Sequence, residues 1–94
     1  MKTVYSWEVQ ELQPGGWWAN PGNLNRGVCG GKKGETDTPE ELAREIVEFY
    51  VPRRGVYRAA IWDTLGVGKP PILVATWNGD GTIDVRPYEA LTVA

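Results

Sequence analysis

Thr38-Pro39-Glu40-Glu41-Leu42-Ala43-Arg44-Glu45-Ile46-Val47-Glu48-Phe49-Tyr50 is the stretch that decides the fold. Thr38 stands where an N-cap belongs, Pro39 at the first helical position and Glu41 at the third, which makes a capping box. Asp37, Glu40 and Glu41 place negative charge at the positive end of the helix dipole. Leu42, Ile46 and Phe49 recur at helical spacing, with Ala43 and Tyr50 widening the apolar stripe. Pro52 cannot continue the helix. A helix over residues 39–50 follows.

On the C-terminal side the period changes from 3.6 to 2. Residues 56–63 alternate around Tyr57, Ala59 and Ile61. Residues 72–77 are apolar at nearly every position, the pattern of a strand central in its sheet. Asn78-Gly79-Asp80-Gly81 carries two overlapping hairpin signals, and 82–86 alternates again with Ile83 and Val85 inward. Pro87 ends that strand or marks an edge, and residues 90–93 could form a short last strand. On the N-terminal side, Tyr5, Trp7 and Val9 alternate with Ser6, Glu8 and Gln10, which predicts a half-buried strand. The expected fold is α+β, a single helix packed on a mainly antiparallel sheet of four to five strands, in the order β–(long loop)–α–β–β–β. Its expected core is Tyr5, Trp7, Val9, Leu42, Ile46, Phe49, Ala59, Ile61, Val74, Ile83 and Val85.

Residues 13–37 show no periodicity. They hold seven of the twelve glycines, two prolines, Trp17, Trp18 and Cys29. A connection of that length is longer than compact domains ordinarily need, and its tryptophans argue against simple disorder. It reads as a long Gly/Trp-rich loop within one small domain spanning residues 1–94, the size for a single modest core.

Composition narrows the chemistry. The chain has 94 residues with no His, one Cys and one Met, so histidine bases, Cys–His pairs and Cys/His metal cages are excluded. One cysteine cannot form an internal disulfide, and residues 1–8 lack the apolar run of a secretory leader. The longest apolar runs, 59–62 and 72–75, are too short to span a bilayer. A cytoplasmic location is the expectation. A formal net charge of −2 disfavours wholesale phosphate binding.

Three motifs resemble ligand loops and fall short on inspection. Residues 78–84, NGDGTID, match the middle of an EF-hand loop, but Thr76 and Pro87 stand where the loop needs its terminal acids. Residues 63–70 end in Gly68-Lys69, yet Pro70 replaces the Ser or Thr that a phosphate loop uses for magnesium. Gly30-Gly31-Lys32-Lys33-Gly34 could form an anion nest but matches no nucleotide spacing. The acids Asp63, Asp80, Asp84, Glu35 and Asp37 are not held in pairs by any visible spacing, so the chain is expected to be non-catalytic, without metal or cofactor.

A binding role remains. Trp17 and Trp18 either cover an open sheet face or anchor a partner, tryptophan being a favoured interface hot spot. Arg26, Lys32 and Lys33 share their loop, and Glu35 and Asp37 would steer a basic partner. The helix-then-hairpin plan of residues 38–86 resembles that of small immunity or inhibitor proteins, which implies a protein partner. The expected function is a small protein-binding module, an inhibitor or accessory protein of a phage or mobile element, with Trp17, Trp18, Arg26, Lys32, Lys33, Glu35 and Asp37 as contact residues. The alternatives are a nucleic-acid-binding module using the same basic, Trp-containing loop, and an assembly subunit using residues 13–37 as an arm.

Overall fold

The structure, a computed structural model, describes residues 5–29, 38–63 and 69–88. The chain forms β1 (Tyr5–Leu12), β2 (Trp18–Ala19), β3 (Arg26–Cys29), α1 (Pro39–Tyr50), β4 (Tyr57–Trp62), β5 (Leu73–Trp77) and β6 (Ile83–Pro87). All strands belong to one antiparallel sheet in the order β2-β1-β4-β5-β6, with β3 also on β1. The α+β plan is as the sequence predicts, with one helix on an antiparallel sheet.

The helix begins with Thr38 as its N-cap and Pro39 at its first position, as the sequence predicts. Thr38 is extended, and its hydroxyl oxygen accepts a hydrogen bond from the Glu41 amide at 3.3 Å. Leu42, Ala43, Ile46 and Val47 are buried, and Val51 anchors the exit in extended conformation. They pack on Tyr5, Val9, Ala59, Ile61, Leu73 and Ala75.

Two expected core residues lie elsewhere. Phe49 is 67% exposed, and its neighbour Tyr50 is 42% exposed. Phe49 lies in the last turn, at the rim of the buried stripe, and Val47 on the stripe's other side is buried instead. Val74 is only half-buried, since strand alternation turns Leu73 and Ala75 toward the helix and Val74 away. Trp7, Ile83 and Val85 pack against the edge of the core.

The larger difference lies in residues 13–29. Read as loop, they instead return along β1 as a hairpin. Glu11 and Leu12 face Ala19 and Trp18, and Tyr5 to Glu8 face Cys29 to Arg26. From Leu12 to Glu8 is four steps along β1, but from Trp18 to Arg26 is eight. Four extra residues therefore leave the ladder between β2 and β3, like an enlarged bulge. Inside this excursion the Asn20 amide donates to the Leu24 carbonyl at 2.9 Å, and its carbonyl oxygen accepts from Gly22 N at 2.7 Å. Polar turn residues mask the alternation, which is why no period shows in the sequence.

β3 and β4 lie on opposite edges of β1 and are both antiparallel to it. They therefore run parallel to each other, and parallel strands need a crossover, which α1 supplies.

Asn78 to Thr82 closes the β5–β6 hairpin. Asn78 N donates to Thr82 O at 2.7 Å and Gly81 N to Asn78 O at 3.1 Å, with Gly81 at φ +87°. This is a three-residue loop with the left-handed glycine last, not a two-residue Asn-Gly or Asp-Gly turn. The Asp80 carboxylate accepts from Thr82 N at 3.0 Å and from Thr82 Oγ1 at 2.7 Å. Those bonds hold its pKa below the usual aspartate value, the Thr82 hydroxyl contributing most.

Candidate functional site: the sheet face opposite the helix

The helix covers one side of the sheet. Alternation and register assign the other side to Glu8, Gln10 and Leu12 of β1, Arg58 and Ala60 of β4, and Asp84 and Arg86 of β6. Trp18, opposite Leu12, and Arg26, opposite Glu8, belong to the same side.

Arg58 organises this face. Its Nε donates to Gln10 Oε1 at 2.8 Å, and Gln10 Nε2 donates to Glu8 Oε2 at 3.3 Å. The guanidinium carbon lies 4.6 Å from the Trp18 ring centroid and 5.9 Å from that of Tyr88. Burial lowers the Arg58 pKa, opposed by the negative charges that Tyr88 and Glu8 can carry. Arginine stays ionised nonetheless, so the face holds a partly desolvated, permanent cation within cation–π range of two aromatic rings. Trp62 lies on the same side opposite Ser6, its indole N–H donating to the Lys69 carbonyl at 2.9 Å. Leu12, Val28 and Ile72 are exposed around it.

The adjacent tryptophans of the sequence are divided. Trp18 is half-buried on Arg58, while Trp17 is 60% exposed at the β1–β2 turn. Their separation follows from the pleat, which sends neighbours to opposite sides. Arg26 is exposed on the same edge as Trp18. Lys32, Lys33, Glu35 and Asp37 lie outside the described residues, as does the short strand expected over 90–93. Sequence reading missed Arg58, Gln10 and Tyr88 as a group. Gln10 and Arg58 were visible as outward, long, polar residues on two strands, but their pairing depends on β1 lying beside β4.

On the helix side, an open groove of about 580 Å³ is lined by residues including Arg44, Glu48, Arg53 and Trp77. Arg53 lies 4.2 Å over the Trp77 ring, and the Trp77 indole N–H donates to the Val51 carbonyl at 2.9 Å. These contacts clamp the helix exit to β5. Among the described residues no group of three or more acidic or Cys side chains is placed to hold a metal ion, and no helix is long and apolar enough to cross a membrane. No family model, curated protein or solved structure matches the chain.

Proposed function

We propose that this chain is a non-catalytic protein-binding module, in the manner of a small inhibitor or accessory protein, and that it binds through the sheet face opposite the helix. The observation that carries this reading is the Trp18–Arg58–Tyr88 row on a face the helix leaves uncovered. Tryptophan, tyrosine and arginine are the residues enriched at interface hot spots. Exposed Leu12, Val28 and Ile72 extend the row with apolar surface. Arg26, Arg58 and Arg86 are interspersed with Glu8 and Asp84, a mixed pattern suited to a protein surface.

A nucleic-acid partner is the second reading, favoured by the arginines and stackable rings on one face. Against it, Glu8 and Asp84 would repel phosphates there.

The test is affinity capture from the native host with half the sample nuclease-treated, followed by binding of the purified partner. A nuclease-resistant protein that binds Tyr88→Ala at least about tenfold more weakly, yet binds Phe49→Ser within about threefold of wild type, supports the reading. Loss of the captured species on nuclease treatment establishes the second reading instead. Equal binding by wild type and Tyr88→Ala removes the face from the interface.

A further inference from the structure

The outer edge of β6 is the second feature with recognition built into it. Among the described residues β6 pairs with β5 alone. Asn78 N donates to Thr82 O, and Tyr88 N donates to Ile72 O at 3.1 Å. Alternation then turns the backbone of Asp84 and Arg86 toward β5 and that of Ile83, Val85 and Pro87 outward. Among the described residues, the edge thus offers two N–H groups and three carbonyls without a strand partner over five residues. It ends at Pro87, which has a carbonyl to offer and no N–H.

The side chains along this edge are complementary to themselves. An antiparallel copy centred on Val85 sets Val85 opposite Val85, Ile83 opposite Pro87, and Asp84 opposite Arg86. The three apolar pairings fall on the helix side of the sheet and the two charge pairings on the other. Asp84 and Arg86 already form an ion pair at 2.6 Å within one chain, so the same two groups would close a four-charge cluster across the two-fold axis. In this register Val85 N–H meets the partner Val85 carbonyl twice, and Ile83 N–H meets the partner Pro87 carbonyl twice. The missing proline N–H is therefore not needed at the bonds that form. The opposite edge has no such match: β3 about Gly27 would set Arg26 against Val28.

We infer that a second copy of this chain docks on β6, pairing β6 with β6 antiparallel about Val85 and joining two sheets into one with both helices on the same side. Such an isologous contact closes on itself and yields a dimer rather than a fibre. It uses the sheet edge, whereas the proposed partner uses the face, and the two are read by different measurements.

Sedimentation of the wild-type chain from about 1 µM to about 1 mM is the experiment, since dimer formation follows protomer concentration. The wild type is expected to dimerise within this range. Val85→Pro removes an outward N–H along with part of the packing of Val85 on the edge of the core. Proline is tolerated on an edge strand, so the variant should keep its circular dichroism and run as a monomer. Asp84→Arg and Arg86→Asp should each dimerise at least about tenfold more weakly, because each sets like charges face to face. Mixing these two variants restores every pairing with opposite charges, and mixed dimers of about wild-type affinity should appear. A wild type that stays monomeric throughout, a dimer that survives Val85→Pro, or singles that do not complement on mixing would each overturn the inference.

Discussion

Gly27 lies directly across the β1–β3 ladder from Trp7, and a Cβ at Gly27 would meet three atoms of the indole, the nearest, Cζ2, at 3.1 Å. The indole has little room to retreat, because Tyr50 stacks on it with ring centroids 5.1 Å apart. Glycine is therefore the seat of an aromatic clamp that holds the hairpin edge to the end of α1. Gly27→Ala is expected to lower stability by about 1–2 kcal/mol through overpacking. A thermal melt of the variant checks this, and an unchanged midpoint would show that the ring shifts freely.

The two tryptophans of the hairpin should respond differently to truncation. Trp17→Ala is expected to stay within about 0.5 kcal/mol of wild type, as for exposed surface positions. Trp18→Ala should cost about 1–2 kcal/mol from lost apolar burial and the cation–π contact with Arg58. A double-mutant cycle with Arg58→Ala should return a coupling of about 0.5–1 kcal/mol. Additive losses would mean that the stack contributes nothing.

Along the helix, Ile46→Ala should cost about 2–5 kcal/mol as a core cavity, whereas Phe49→Ser should stay within about 1 kcal/mol. Denaturant titrations of the two variants separate the buried stripe from its neighbour. The reverse ranking would place Phe49 in the core.

Thr38→Ala removes the acceptor of the Glu41 amide and should cost about 1 kcal/mol, with Thr38→Asp recovering most of it. Urea unfolding of the pair is the measurement. Equal stability of wild type and Thr38→Ala would show that the cap is dispensable.

Asp80 provides a pH signature. Its pKa is lower in the folded chain than the ordinary value, chiefly through the Thr82 hydroxyl and amide. A depressed carboxylate stabilises the fold above its unfolded pKa, and that contribution disappears as pH falls through the folded value. Asp80→Asn keeps an acceptor oxygen but cannot titrate there, so its stability should fall less steeply than wild type below about pH 4. Parallel acid limbs for the two proteins would remove Asp80 from the linkage.

What residues 38–50 and the alternating stretches determined alone was local: where the helix starts and ends, which strands alternate, and where the last hairpin turns. Those features rest on neighbours within a few positions, such as Thr38 with Glu41 or Asp80 with Thr82. Tertiary structure decided the rest. Residues 18–19 and 26–29 become strands because β1 offers them an open edge, although the four-residue excursion between them hides any period. Leu73 and Ala75 face the core rather than Val74 because β4 and β6 set the register, and in a run apolar on both faces the composition is silent about direction. The Trp18–Arg58–Tyr88 row joins residues up to 70 positions apart, and no spacing in the chain announces it. It exists because antiparallel pairing of β2, β1 and β4, and then β5 and β6, brings alternate side chains of distant segments onto one face.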